Sequence, residues 1–304
     1  VRKQGLLEKD IVLGITLVNM YAKCGVLEKA HGVFKELPVR NVVAWTTLID
    51  GYVMHGRGDE ALKFFRWMQD ERICPNVFTY VCVVKACGIL GSLEVGEDIN
   101  VEVRKQGLLQ KNVVLGTALV DMYAKCGALE KAQEVFEQLP ERNILSWSAL
   151  IAGYGQLGQA SVAFNVYTRM RTENVLPNLV TFIVLLTACS HTGMVEEGEK
   201  LFDEMHAVYR ITPTLEHYTC MIDLFGRAGH FDKAKAMLDE VQYSGHLPLL
   251  LSILGACRKW RNIQVGKLAF EQVVRLDETG TAAYVCISNI IVDVSHEQIV
   301  MASF

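Results

Sequence analysis

The sequence predicts an all-α solenoid built from repeated helix pairs. A long internal duplication places one stretch of the chain over another at a shift of 102 residues, and each copy divides into shorter repeats. Within these repeats, apolar residues recur at spacings of three and four, which is typical of one face of a helix. A single helix pair cannot bury its apolar faces alone, so neighbouring pairs are expected to stack into one continuous core.

The duplication is visible by direct comparison. Residues Val1–Trp45 and Val103–Trp147 share 30 identical residues in 45 aligned positions. The prolines follow the same shift, since Pro38 matches Pro140. The 102-residue period is itself composite and comprises repeats of 35, 36 and 31 residues. Proline interrupts helices, so its place near the repeat boundaries agrees with helical repeats.

The period divides the chain into seven repeats. They follow the end of a truncated repeat at residues 1–10 and precede a truncated helical extension at residues 247–304. Because the chain opens inside a repeat and without methionine, we expect it to be a fragment. The repeats are Ile11–Asn41, Val42–Asn76, Val77–Asn112, Val113–Asn143, Ile144–Asn178, Leu179–Thr214 and Leu215–His246.

Each repeat is expected to hold two antiparallel helices. In the repeat Val113–Asn143, an apolar stripe that includes Leu119 and Met122 marks the first helix. Gly127 is predicted to end this helix, and a second stripe follows it. In the repeat Val42–Asn76, Asp59 is predicted to cap the second helix.

The composition excludes several classes of protein. Apolar residues make up 51% of the chain, which argues against a disordered polypeptide. The most apolar run, Leu247 to Cys257, has 11 residues, whereas about 18 to 20 are needed to span a bilayer. The nine cysteines form no C-x-x-C pair, so neither a zinc site nor any other cofactor is expected. No arrangement of histidine, cysteine or carboxylate residues suggests a catalytic centre.

The cysteines recur at equivalent places in the repeats. Cys24 and Cys126 both close a Tyr-Ala-Lys-Cys-Gly stretch, while Cys87, Cys189 and Cys257 each follow an alanine late in a helix. This recurrence predicts small buried packing residues in a reducing compartment.

Several phrases of the sequence resemble the plant pentatricopeptide repeat family. NVVAWTTLIDGYVMHGRGDEALKFFRWMQ is similar to its P repeats, VTFIVLLTACSHTGMVEEGEKLFDEM to its L repeats and LVDMYAKCGALEKAQEVFEQLPERN to its S repeats. LSILGACRKWRNIQVGKLAFEQVVRLDETGTAAYVCISNI resembles the E-type extension of RNA-editing members, although Leu250 stands where a tryptophan is usual. The resemblance implies a right-handed α-solenoid, or superhelix, of helix-turn-helix pentatricopeptide repeats.

The resemblance also implies which residues contact RNA. In this family the fifth and last residues of a repeat read one base of a single strand, and the second residue sandwiches bases. The combination for adenine occurs in Thr46 with Asn76, Thr117 with Asn143, and Ser148 with Asn178. An aliphatic fifth residue occurs in Ile15 with Asn41, Val81 with Asn112, and Ile183 with Thr214, while Thr219 with His246 is ambiguous. The sandwiching residues are Val43, Val114 and Leu145.

The residues alone leave another interpretation open. Each asparagine at a repeat boundary stands just before a predicted helix, where asparagine is a good N-cap. Threonine or serine early in a helix is equally ordinary. The two roles are compatible, because a boundary residue can terminate a helix and still face a ligand.

The resemblance leads to a functional hypothesis. The chain is expected to be a non-enzymatic, sequence-specific binder of single-stranded RNA in a plastid or mitochondrion, serving as a site-recognition factor for cytidine-to-uridine editing. Accessory editing proteins or a deaminase domain, supplied in cis or by a partner, would complete that role. The alternatives are a transcript-stabilising or splicing factor, or a helical scaffold that binds proteins, which the net charge of −4 suits better than RNA binding.

Overall fold

The computed structural model describes residues 10–240, 247–260, 263–276 and 281–301. Every regular element in these ranges is a helix: seventeen α-helices and one short 3-10 helix. The prediction of an all-α solenoid of helix pairs is therefore confirmed. The chain forms two compact units, residues 1–153 and 154–304, called here the N-terminal and C-terminal units.

The N-terminal unit contains four complete helix pairs and most of a fifth first helix. In all four pairs the first helix packs against the second helix of the same pair. The first helices α1, α3, α5 and α7 pack side by side in that order. The helices are α1 (Ile11–Lys23), α2 (Leu27–Lys35), α3 (Val42–Met54), α4 (Gly58–Asp70), α5 (Val77–Leu90), α6 (Leu93–Lys105), the 3-10 helix Leu109–Lys111, α7 (Val113–Lys125), α8 (Leu129–Glu137) and α9 (Ile144–Gln156), which ends in the C-terminal unit.

The C-terminal unit continues the same pattern. There α11, α13 and α15 pack side by side, each also contacting the helix that follows it, and α17 packs on both α15 and α16. The helices are α10 (Ala160–Thr172), α11 (Leu179–Thr192), α12 (Val195–Ala207), α13 (Leu215–Arg227), α14 (Phe231–Glu240), α15 (Leu247–Trp260), α16 (Ile263–Leu276) and α17 (Thr281–Met301).

First and second helices differ in character because they bury different fractions of their surface. The first helix α5 carries apolar or small side chains on most of its circumference and buries nine residues. The second helix α8 is amphipathic, burying Leu129, Ala132, Val135 and Phe136 while its charged residues face solvent. A helix that is apolar nearly all round is expected at the centre of a packed layer, and an amphipathic helix at its edge.

The turn inside each pair depends on glycine. Gly25 and Gly127 follow the C-caps of α1 and α7 with φ of 74° and 75°, a left-handed conformation that glycine adopts without the penalty of a Cβ atom. The prediction that Gly127 ends its helix is thus confirmed. The prediction that Asp59 caps α4 is wrong: the helix begins at Gly58, Arg57 is the N-cap residue, and Asp59 lies in the first turn.

Neighbouring first helices approach each other closely at small residues. A Cβ atom added to Gly51 of α3 would lie 2.5 Å from the Cβ of Ala22 in α1. The equivalent addition to Gly153 would lie 2.7 Å from the Cβ of Ala124 in α7. Real Cβ atoms do not approach so closely, so glycine is required at both places for the observed spacing of the helices.

An aromatic stack recurs at the junction of successive repeats. The rings of Phe34 and Trp45 lie 4.6 Å apart in an edge-to-face arrangement, with the guanidinium of Arg40 5.7 Å from the Phe34 ring centre. Phe136 and Trp147 repeat the arrangement at 4.6 Å, with Arg142 above the phenyl ring. Both tryptophans are almost fully buried, so they serve packing.

The cysteines largely agree with the packing prediction. Cys87, Cys189 and Cys257 are buried, and burial raises the pKa of the Cys87 and Cys189 thiols to about 12, which keeps them protonated and unreactive. Cys126 is half-buried, but Cys24 is exposed, so the prediction is wrong for Cys24. Cys126 of the fourth pair lies against the Cys87 carbonyl of α5, the preceding first helix. Cys24 follows α1, and no described helix precedes α1 to cover it in the same way.

Two further searches cover only the described ranges. They contain no group of three or more histidine, cysteine, aspartate or glutamate residues placed to hold a metal ion. In the same ranges, no helix combines the length and the apolar composition needed to cross a bilayer.

Replacing Gly51 with alanine should destabilise the protein by about 1–3 kcal/mol, because the added methyl group overpacks the contact with Ala22. Gly255 lies inside α15, and no atom of the described residues is within 4 Å of the position of an added Cβ, so it offers the matched control. Gly255→Ala should stabilise by about 0.5–1 kcal/mol through helix propensity alone. Urea unfolding followed by circular dichroism measures both, and equal effects of the two variants would contradict the packing argument.

Candidate nucleic-acid interface

The second residue of successive repeats is an exposed apolar side chain. Val43, Val114 and Leu145, the predicted sandwiching residues, are 51%, 62% and 60% exposed. Sequence reasoning missed three further residues at the same position: Val12, Phe78 and Val180, which are also exposed. The signal that could have found them is their place one residue after the start of a first helix. Exposed apolar groups at the same point of successive first helices offer flat surfaces to a ligand with apolar faces.

The last residue of five repeats is an asparagine that caps the next first helix. In each case the side-chain Oδ1 accepts a hydrogen bond from the backbone N–H three residues later, at 2.9–3.0 Å. A backbone N–H can only donate, so this contact identifies the oxygen of the amide. The five residues are Asn41, Asn76, Asn112, Asn143 and Asn178.

These amides keep their donors available. Within the described residues, none of the five Nδ2 groups donates a hydrogen bond. The capping interpretation is therefore correct for all five, and it uses only the oxygen of each amide. The other half of each side chain retains two N–H donors that a ligand could occupy.

The four polar fifth residues occupy different environments. The Thr46 hydroxyl contacts the Thr79 hydroxyl at 2.7 Å. The Thr117 Oγ1 is buried and has no hydrogen-bond partner among the described residues. Ser148 is buried, with 6% of its surface exposed. The Thr219 hydroxyl donates to the carbonyl of Leu215 in its own helix, at 2.8 Å.

The aliphatic fifth residues differ in exposure. Val81 is 7% exposed and packs in the core, while Ile15 and Ile183 are half-buried. His246, the predicted partner of Thr219, lies outside the described residues.

Within the N-terminal unit, an intermediate residue links the adenine pair Thr46 and Asn76. Thr79 contacts both Thr46 and Asn76 within the N-terminal unit. Thr117 and Asn143 also belong to that unit, but no hydrogen bond between them is present. Ser148 lies in the N-terminal unit and Asn178 in the C-terminal unit, so each is placed only within its own unit.

The charges on the first helices are mixed in sign. Asp121 pairs with Lys125 at 2.7 Å, and Asp223 pairs with Arg227 at 2.8 Å, each within one turn of its helix. Lys85 is exposed at the ninth residue of its repeat, the position that Asp121 occupies in α7. On α5, α7 and α13 the described charges are therefore of both signs, which favours recognition by hydrogen bonds and apolar contacts over recognition by net charge.

His217 performs the capping role that threonine performs elsewhere. It is the third residue of its repeat and is fully buried. Its Nδ1 accepts from the backbone N–H of Thr214 at 3.1 Å, and its Nε2 lies 3.0 Å from the carbonyl oxygen of Leu179. A backbone N–H only donates and a carbonyl only accepts, so the ring is neutral and carries its proton on Nε2. Burial lowers the pKa of His217 below its ordinary value of 6.5.

This lowered pKa predicts a loss of stability in acid. As the pH falls below about 6.5, the unfolded chain binds a proton at His217 before the folded chain does, so stability present at neutral pH is lost. Threonine occupies the third position in two other repeats, as Thr79 and Thr181, and builds the same capping box. The variant His217→Thr should therefore keep the fold and lose less stability between pH 7 and pH 5.

The measurement is urea unfolding of both proteins at several pH values. The difference in slope should not exceed about 1.4 kcal/mol per pH unit, the limit for one proton. Parallel curves for the two proteins would show that His217 is not responsible for acid sensitivity.

Comparison with known proteins identifies related sequences along most of the chain. A model described as "PPR repeat family" matches residues 40–88 and 142–191. A second model, described as "PPR repeat", matches residues 15–42, 117–144, 180–207 and 216–246.

Related full sequences come from Arabidopsis thaliana. A mitochondrial pentatricopeptide repeat-containing protein is 36% identical over 291 residues, covering 96% of this chain and 52% of the relative. A chloroplastic pentatricopeptide repeat-containing protein is 38% identical over 276 residues, covering 90% of this chain and 37% of the relative. The chain thus spans about a third to a half of the length of these relatives.

Solved structures of similar fold include the pentatricopeptide repeat protein PPR10 from maize. It superposes with a TM-score of 0.66 at 17% identity, covering 91% of this chain and 44% of PPR10. PPR10 in complex with an 18-nt psaJ RNA element superposes with a TM-score of 0.71, also at 17% identity, covering 95% of this chain and 46% of that one. At this identity the similarity concerns the fold.

Proposed function

The chain belongs to the pentatricopeptide repeat family, and we propose that it binds single-stranded RNA and reads one base with each repeat. The observation that carries this proposal is the boundary asparagine. In five repeats the oxygen of this asparagine caps a helix while its N–H donors remain available. The helix that it caps begins at the next residue, and the second residue of that helix is apolar and exposed. An apolar contact for the face of a base and a donor for its edge are the two elements that base recognition needs.

The proposed sequence preference follows from the polar fifth residues. The Watson–Crick edge of adenine presents one acceptor, N1, beside one amino donor, N6. An asparagine amide can donate to N1 while a hydroxyl accepts from N6. We assign adenine to the second, fourth and fifth repeats, read 5′ to 3′ from the N-terminus, through Thr46 with Asn76, Thr117 with Asn143 and Ser148 with Asn178.

Less discrimination is assigned to the remaining repeats. The buried Val81 cannot hydrogen-bond a base edge, and Ile15 and Ile183 have no polar group to offer. In the repeat Val77–Asn112, however, Phe78 is 72% exposed. Base stacking on an aromatic ring is tolerant of sequence, so this repeat contributes affinity without selecting a base.

The biological role we propose is recognition of editing sites in a plastid or mitochondrion. Relatives whose names place them in the mitochondrion and the chloroplast support an organellar location. The similarity of the repeats to the P, L and S types, and of residues 247–304 to the E-type extension, supports a role in cytidine-to-uridine editing. In that role the chain supplies the sequence recognition, and a deaminase domain or an accessory editing protein supplies the chemistry. Stabilisation of a transcript or promotion of its splicing would use the same RNA interface.

A binding titration tests the proposal. The purified chain would be titrated into fluorescent seven-nucleotide RNAs with adenine or uridine at the second, fourth and fifth positions, and into the matching single-stranded DNA. We expect tighter binding of the adenine RNA, with the logarithm of affinity falling by about 0.7 per neutralised phosphate for each tenfold rise in salt. Absence of binding to any of these RNAs at low salt would favour the protein-scaffold alternative, which agrees with the mixed charges on the first helices.

Substitution at one fifth residue should change one base preference. Asparagine is longer than threonine, so Thr117→Asn leaves less room for a purine and should shift the fourth position from adenine to a pyrimidine. Competition between RNAs that differ only at that position measures the change. The second position, read by Thr46 and Asn76, serves as the internal control and should keep its preference for adenine. An unchanged preference at the fourth position would contradict the assignment of Thr117.

A further inference from the structure

Thr79 makes more hydrogen bonds than a capping residue needs. It is the third residue of the repeat Val77–Asn112 and is fully buried. Its Oγ1 lies 2.7 Å from the Oγ1 of Thr46, 3.1 Å from the Oδ1 of Asn76 and 3.2 Å from the backbone nitrogen of Asn76. It therefore touches both members of the proposed base-reading pair, across a sequence separation of 33 residues from Thr46.

Only one arrangement of protons makes all three contacts hydrogen bonds at the same time. A hydroxyl group has one proton to donate and two lone pairs to accept with. The backbone N–H of Asn76 can only donate, so it takes one lone pair of Thr79. The amide oxygen of Asn76 can only accept, so it takes the proton of Thr79. One lone pair remains, and Thr46 must donate to it.

This arrangement fixes what the pair can offer to a ligand. The Oδ1 of Asn76 accepts from both the backbone N–H and the hydroxyl of Thr79, so both of its lone pairs are used. Only the Nδ2 donors of Asn76 remain. Thr46 has given its proton to Thr79, so only the lone pairs of its oxygen remain. Asn76 is thereby restricted to donating and Thr46 to accepting.

In the pair Thr117 and Asn143 only the asparagine is restricted in this way, because its Oδ1 accepts from the backbone N–H groups of Leu145 and Ser146. The residue in the place of Thr79 is Ser146, and its hydroxyl donates to the backbone carbonyl of Asn143 at 2.9 Å. The hydroxyl of Thr117 has no partner among the described residues. No described residue fixes the direction of its proton, so this buried hydroxyl can either donate to a base or accept from one once the base reaches it.

We infer that Thr79 is a positioning residue that makes the pair Thr46 and Asn76 a stricter reader of adenine than the pair Thr117 and Asn143. This inference rests on the proposed function. In place of the adenine amino group and N1, guanine presents the acceptor O6 and an N1–H donor. Held in the same position, guanine meets a donor at Asn76 and an oxygen at Thr46 that has no proton to give. At the fourth repeat, Thr117 can rotate and donate to O6, which relieves one of the two mismatches.

One relieved mismatch corresponds to a change on the order of tenfold in relative affinity. The ratio of adenine to guanine affinity should therefore be about tenfold larger at the second RNA position than at the fourth. Thr79→Val, which keeps the shape and removes the hydroxyl, should lower the ratio at the second position to that at the fourth. Thr79→Ser, which restores a hydroxyl, should restore the ratio.

The control is Thr181→Val. Thr181 forms an equivalent capping box with Asn178, so this variant loses the same helix cap at a different repeat. It should leave the ratio at the second position unchanged. Dissociation constants would be measured for the whole 304-residue chain by fluorescence anisotropy, with thermal melting to show that each variant is folded.

The outcomes separate the inference from the proposed function. If the wild-type chain prefers adenine at the second position and Thr79→Val keeps the full ratio, the inference is wrong and the proposed function stands. If the wild-type chain shows no base preference at that position, the proposed function is wrong for this repeat and the inference fails with it. A loss of the ratio in Thr181→Val as well would show that Thr79 acts only through helix stability, which also overturns the inference.

Discussion

The close approach of neighbouring first helices is the constraint on which the other features of each unit depend. It requires small residues where the helices meet: Gly51 against Ala22 in the N-terminal unit, and Gly155 against Ala188 in the C-terminal unit. Once first helices lie side by side, apolar side chains on both of their flanks are buried, and second helices need only one apolar face. The same approach allows a side chain at the start of one first helix to touch its neighbour, as Thr79 of α5 touches Thr46 of α3.

Helix capping and the candidate interface are two uses of the same atoms. The boundary asparagines start the first helices through Oδ1, and this contact sets the direction in which Nδ2 points. The side chain that presents a donor to a ligand is therefore held by the secondary structure itself and loses little conformational freedom on binding. Because the first helices carry charges of both signs, such preorganised hydrogen bonds and exposed apolar groups have a larger share in recognition than electrostatic attraction.

Much of the fold follows from local sequence patterns, whereas the site depends on contacts between repeats. The internal repeat and the apolar spacing predicted the helix pairs, and the glycine at 127 marked the end of α7. The exposure of Val43 and Val114 agrees with their predicted role, although the role itself remains a prediction. The contact between Thr79 and Thr46 could not be predicted, because it joins residues in different repeats whose register only the packing determines. Asp59 is not the cap because α4 begins two residues earlier than a cap at Asp59 would require, with Arg57 as its N-cap residue.

The capping side chain uses one polar atom for the helix and leaves the other for a ligand, and this separation affects how such a protein can change during evolution. Asp10 occupies the position before α1 that Asn112 occupies before α7, and its carboxylate accepts from the backbone N–H groups of Val12 and Leu13. Aspartate and asparagine cap helices about equally well. Replacing asparagine with aspartate at this position therefore changes the atom that faces a ligand from a donor to an acceptor, while the helix still has an N-cap. New ligand preferences can therefore arise through single substitutions that hardly change the stability of the fold. Such substitutions do not need earlier stabilising mutations to be tolerated.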